Sequence, residues 1–201
     1  MFNITEIDKI VVHGGKAHLD DVMACSIAIA ARAWATKDAT ASDVLVPVER
    51  RNPTERELED ERVLVLDVGG RLEPEKGNFD HHQLPRGTKS CAMTLLASDL
   101  AFDDLSTVAD FMAAVYPWFE TRAVVDSCGP FQATKEAGTD WATVEKFLGP
   151  FEDLVLRLFE ESDPDDRAHG CAELAKDILA KAEAWDAVVD RLRYPADDRC
   201  V

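Results

Sequence analysis

Three short runs of β-branched and aliphatic residues, Lys9–Val12 (KIVV), Val44–Val48 (VLVPV) and Val63–Leu66 (VLVL), are separated by segments with helical periodicity. Near-continuous apolar strands of this kind suit a parallel sheet covered on both faces, since an exposed face would call for polar residues at alternate positions. Parallel neighbours need crossovers, and Asp20–Trp34 (DDVMACSIAIAARAW) is alanine-rich and apolar enough to be a buried crossover helix. Asp20 and Asp21 then fall in its first turn, where the helix dipole favours negative charge. Pro47 lies inside the second run and cannot donate to a ladder, which predicts an edge strand or a strand end there. A later helix is predicted to start at a cap on Thr88 or Ser90 and run through about Ala101. From there to Val201 the pattern is helical, punctuated by Gly129-Pro130, Gly149-Pro150 and Asp163-Pro164. The expectation is an α/β layer in the first half of the chain and a helical second half.

Composition narrows the class. Hydrophobic residues make up 46% of the chain, enough for a core, so a disordered chain is excluded. No apolar run is long enough for a transmembrane helix, and MFNITEIDKIVVH lacks the basic start and apolar centre of a secretion signal. Cys25, Cys91, Cys128, Cys171 and Cys200 are an odd, scattered set without a C-x-x-C pair, which predicts reduced thiols and a cytoplasmic protein. The net charge of −17 argues against a basic face for long duplex nucleic acid. An anionic substrate must then be held locally, by metal ions and a few placed cations. Trp118, Trp141 and Trp185 are expected in the core rather than at an interface.

In open parallel sheets functional groups gather at the carboxyl ends of strands. The first strand delivers His13, His18, Asp20 and Asp21; the third ends in Asp67; a short turn later comes Asp80-His81-His82. Each residue alone has an ordinary explanation, such as a helix cap for Asp20 or a polar turn for Asp80. Together they place four of the chain's five histidines on one sheet edge. Imidazole mixed with carboxylate suits borderline divalent ions, and a set shared between two ions suits a two-metal hydrolase.

The order and spacing of these elements resemble those of the melanocyte-proliferating-gene-one family (UPF0160 type), within the DHH phosphoesterase superfamily. The first motif reads His13-Gly14-Gly15-Lys16-Ala17-His18-Leu19-Asp20, the second DVGG at Asp67–Gly70, the third FDHHQ at Phe79–Gln83. GTKSC at Gly87–Cys91 is similar to a Thr-Lys-x-Ser element, and Asp126 in AVVDSCG stands for a looser fourth acidic motif. The resemblance implies a Rossmann-like DHH-type domain over residues 1–130 and a helical C-terminal region, 131–201, packing on it. It implies two divalent ions, manganese first, with magnesium, iron or zinc as alternatives. His13 and His18 would bind one ion and Asp20 the other, Asp67 would bridge them, and His81 and Asp126 would complete the second. Catalytic work would fall to Asp67 and His82, the latter facing the substrate phosphate or protonating the leaving oxygen. Asp80 would orient a histidine from behind, and Asp21 would stand behind the ligands or simply in the helix.

Lys16, Arg50, Arg51, Arg86 and Lys89 are candidate phosphate ligands in loops at the same edge, and amides around Ser90 could add an anion site. The implied reaction is hydrolysis of phosphodiester bonds in RNA or short oligonucleotides, exonuclease-like, through a bridging hydroxide. Residues 151–201 carry 14 acidic and 7 basic side chains, so no basic cleft for a polymer is visible. A phosphomonoesterase or small-nucleotide hydrolase therefore stands beside the first reading. A metal-binding or partner-binding protein without catalysis is the reading from another class. A homo-oligomer is compatible with all three.

Overall fold

The computed structural model describes residues 2–37, 39–102, 107–142 and 152–193. At its centre lies a five-stranded sheet of order β2-β1-β3-β5-β4. The strands are β1 (Lys9–Val12), β2 (Val48–Arg50), β3 (Val63–Leu66), β4 (Leu72–Glu73) and β5 (Asn78–Phe79). β1 pairs in parallel with β2 and β3, and β3 with β5; only β4 runs antiparallel, on the far edge. This is an α/β fold with a mostly parallel sheet, compatible with a Rossmann-like arrangement.

The register positions the site. Val12 lies opposite Arg50 on one side and Leu66 on the other, and Leu66 lies opposite Phe79. The residues that follow, His13, Arg51, Asp67 and Asp80, therefore emerge in one row at the carboxyl edge. β1 and β3 coincide with the predicted runs. The second strand does not: it spans Val48–Arg50 rather than Val44–Val48. Pro47 stands just outside, contributing only its carbonyl, which accepts from Ile10 N at 3.0 Å. Val44 and Val46 are buried all the same, as core rather than as ladder.

Helix α1 (Leu19–Ala35) crosses behind the sheet and is buried along most of its length. Its alanines (24, 28, 30, 31 and 33) admit close neighbours, and the long helix α8 (Pro164–Arg193) packs along it. Between them come α2 (Glu55–Leu58), α3 (Ala92–Asp99), α4 (Val108–Val115), α5 (Phe119–Cys128), α6 (Pro130–Ala137) and α7 (Glu152–Glu161). Gly129-Pro130 separates α5 from α6 and Pro164 opens α8. Gly149-Pro150 lies outside the described residues. The predicted cap on Thr88 or Ser90 is corrected: Cys91 is the N-cap of α3, and the Thr88 hydroxyl donates to Pro85 O within a turn.

One hydrophobic cluster runs from Ile4 through the sheet and α1 to Ala182 on α8. Ile27, Leu64, Leu66 and Phe79 are fully buried in it, each contributing about 1.5–3 kcal/mol. Trp118 and Trp185 pack against this cluster, but Trp141 is 38% exposed, against the expectation of core. Among the described residues no helix is long and apolar enough to cross a membrane.

Candidate metal centre

The loop from His13 to His18 is shaped by close approach. A Cβ on Gly14 would lie 3.0 Å from Arg51 Cα, and one on Gly15 would lie 2.7 Å from His13 Cε1. Glycine at both positions lets the loop fold back onto β2 and over the His13 ring. The rings of His13 and His18 then stack with centroids 5.9 Å apart. Gly15→Ala is expected to push the His13 ring aside and weaken divalent-metal affinity by about ten- to a hundredfold, as misoriented ligands do. Manganese titration at unchanged helicity reads this out; wild-type affinity in the variant would mean the ring position is irrelevant.

Beyond the loop, α1 opens with two buried carboxylates. His18 N–H donates to Asp21 Oδ2 at 2.8 Å, while Asp21 Oδ1 is buried with no hydrogen-bond partner. Donor atoms of His13, Asp21 and Asp67 lie within 4.8 Å of one another. Asp21 thus faces the cluster directly. Asp20 is turned the other way: its two oxygens accept from Ala92 N at 3.0 Å and Met93 N at 2.8 Å, the first amides of α3. Asp20 still groups with Cys91 and Asp126 within the same 4.8 Å limit.

Asp67 sits in the middle. It is 2% exposed, its φ is +57°, and its Oδ1 is buried without a hydrogen-bond partner. A left-handed conformation at a non-glycine residue is strained, and such strain is held where the surroundings demand it. His81 Nε2 approaches Asp67 Oδ1 at 3.1 Å and Asp126 Oδ2 at 3.2 Å, and His18 Nδ1 stands 3.6 Å from Asp126 Oδ1. Helix α5 therefore brings Asp126 to two histidines from other elements. Asp80 orients His82 rather than His81: its Oδ1 lies 2.7 Å from His82 Nδ1 and accepts the His82 amide at 2.9 Å. Its Oδ2 accepts from Gly70 N at 2.6 Å.

The electrostatics describe a site short of positive charge. Burial pushes the Asp20 carboxyl up to about 7, with Asp126 and Asp67 adding to it, and pushes Asp21 up to about 8. Burial acts to lower the His81 pKa, but Asp126 and Asp67 beside it win and raise it to about 10. Asp126 is lowered despite its burial, chiefly by His81, and Asp80 is lowered despite its burial by the amides of His82 and Gly70. Protons on these groups stand where a cation would relieve the same repulsion. Asp21 Oδ1 and His13 Nδ1, buried without hydrogen-bond partners, together with Asp67 Oδ1, which faces His81, make the residues fit a divalent ion.

A cleft of about 250 Å³ opens on this cluster, lined by His18, Asp67, His81, His82, Arg86 and Asp126 among others. Of the candidate phosphate ligands, Arg86 lines the cleft and Lys16 is exposed on the loop beside it. Lys89 lines an adjoining cavity and pairs with Glu136 at 2.7 Å. Arg51 is not available: Glu57 grips its guanidinium with both oxygens at 2.7 and 2.9 Å, and Glu49 takes Nε at 2.8 Å. Arg50 donates to Gly15 O and lies over the Phe159 ring. The anion site expected at the start of α3 is also corrected, because the Asp20 carboxylate already occupies those amides.

Two residues near the cluster escaped the sequence reading. Cys91 joins Asp20 and Asp126 from the cap of α3, and Glu160 reaches the metal loop from α7, accepting from Ala17 N at 2.7 Å. For Cys91 the signal was its place directly before an apolar helical run; for Glu160, 143 positions from its partner, there was none.

Residues 9–99 match the family model described as MYG1_exonuc, Uncharacterised protein family (UPF0160). No curated protein and no solved structure matches the chain.

Proposed function

We propose that the chain, whose residues 9–99 match the UPF0160 family model, is a divalent-metal-dependent phosphoesterase of DHH type. Its reaction is hydrolysis of phosphodiester bonds in RNA or short oligonucleotides, in keeping with the exonuclease in the family's name. The observation that carries this is the convergence of His13, Asp21, Asp67, His81 and Asp126, with Asp21 Oδ1 buried and without a hydrogen-bond partner.

His13, His18, Asp21 and Asp67 would hold one ion; Asp20, Asp67, His81 and Asp126 the other. Two divalent ions, manganese first, supply an activated water and stabilise charge on the phosphoryl oxygens. Asp67 supports both from the strand end. His82 stands at the mouth of the cleft with Nδ1 held by Asp80, so Nε2 is the ring nitrogen left to donate a proton to the leaving oxygen. Arg86 contacts a substrate phosphate, and Lys16 adds a cation beside it. A cytoplasmic location accompanies this reading.

The test is turnover of bis-p-nitrophenyl phosphate with manganese, with magnesium and with chelator, metal content being measured on the same samples. Manganese-dependent turnover is expected, with kcat lower by about 10²–10⁴-fold in His82→Ala at unchanged metal content. A protein that binds no metal and turns nothing over ends this reading. A phosphomonoester or small nucleotide is the second reading, favoured by the small cleft and the net charge of −17. Comparing a dinucleotide with a mononucleotide separates the two.

A further inference from the structure

The helical C-terminal region reaches the metal loop through α7. Phe159 and Glu160, near the end of α7, wedge between β2 and the loop. The Glu160 carboxylate accepts from the amide of Ala17, a buried residue directly before His18. Phe159 lies under the Arg50 guanidinium, 5.5 Å from ring centroid to Cζ, and that guanidinium donates to Gly15 O. Arg167 on α8 fixes the wedge, donating to Phe159 O at 2.7 Å and to Val48 O at 3.0 Å. The loop is thus held at Gly15 by its carbonyl and at Ala17 by its amide, on either side of Lys16 and between the two histidines.

We infer that Glu160 is a positioning residue that holds the His13–His18 loop in its metal-binding shape through the Ala17 amide. The inference rests on the metal-site reading above and assigns part of the acidic C-terminal region a role in ion affinity. A loop of two glycines has little rigidity of its own, so an outside acceptor for a buried amide decides where His18 points. Supports of this kind behind metal ligands change affinity without touching the ion.

The whole 201-residue chain carries the test, read by manganese titration against a fluorescent chelator and by hydrogen exchange of the loop amides. Glu160→Ala is expected to bind manganese about ten- to a hundredfold more weakly and to exchange the Ala17 amide about tenfold faster. Glu160→Gln keeps an acceptor oxygen at the same reach and is expected to stay within about threefold of wild type. Should Glu160→Ala fold poorly, Glu160→Asp, one methylene too short, is expected to behave as Glu160→Ala does. Unchanged affinity and unchanged exchange in both Glu160→Ala and Glu160→Asp overturn the inference, as does a lowered melting temperature with wild-type affinity and loop exchange. A wild type that binds no manganese overturns the metal reading instead, and loop exchange then still decides whether Glu160 holds the loop.

Discussion

Asparagine in place of Asp67 is expected to leave the fold intact and to remove most phosphodiester turnover, by about 10³-fold or more, the scale on which a principal electrostatic stabiliser acts. The side chain is nearly the same size, so the buried pocket stays filled. Its backbone also suits the exchange: at φ +57° asparagine is among the few residues that accept the left-handed region readily. What is lost is the negative charge facing His81 and one of the two oxygens that Asp67 offers beside His13 and Asp21. Metal content should fall with activity while circular dichroism and melting of the metal-free protein stay near wild type. Full activity of the Asp67→Asn variant, at full metal content, would remove Asp67 from the machinery.

The second large effect is on stability against pH. In the metal-free protein Asp20 titrates at about 7 and Asp21 at about 8, against 3.8 unperturbed, and His81 at about 10 against 6.5. All three bind protons more tightly folded than unfolded. Their contribution is therefore complete below the unfolded values and is lost as pH rises through the folded ones. For the two aspartates that window runs from about pH 4 to about pH 8, and for His81 from about pH 6.5 to about pH 10. Asp80 and Asp126 are lowered, so their contribution is present above about pH 4 and lost only in stronger acid.

Melting temperature in chelator is thus expected to peak at about pH 4, to fall from there to about pH 8, and to fall further toward about pH 10. Manganese takes the place of the protons and should flatten or reverse that fall, because its affinity rises as the ligands deprotonate. Thermal melts across this range, with chelator and with manganese, give the answer. A metal-free protein whose stability is flat or rising over the same interval would show that burial does not hold the two carboxyls protonated.

Much of this was legible because it depends on local pattern. KIVV and VLVL read as strands since a covered parallel sheet tolerates little else, and both lie where expected. Chemistry at strand ends follows from that placement, so His13, Asp67 and Asp80 could be put on one edge from the sequence. Pro47 marked a strand end: having no N–H it pairs only through its carbonyl, and the ladder begins at Val48 just after it.

The partners of each side chain were not legible, since they depend on where helices far along the chain return. Nothing around Asp20 and Asp21 says which one faces the histidines. The return of α3 settles it, drawing Asp20 onto its amides and leaving Asp21 toward His13. Arg51 read as a phosphate ligand until α2 set Glu57 against it. Asp126 was paired with His81 only by the resemblance, because its helix shows only ordinary amphipathicity. The sequence by itself determined β1 and β3, the metal-type donors and the edge they share, because periodicity and residue chemistry are local. Which donors face inward, which cations are already paired and which acceptor holds the metal loop were decided by tertiary packing alone. A hydrogen bond such as Glu160 to Ala17 exists only once the α1–α8 core has closed.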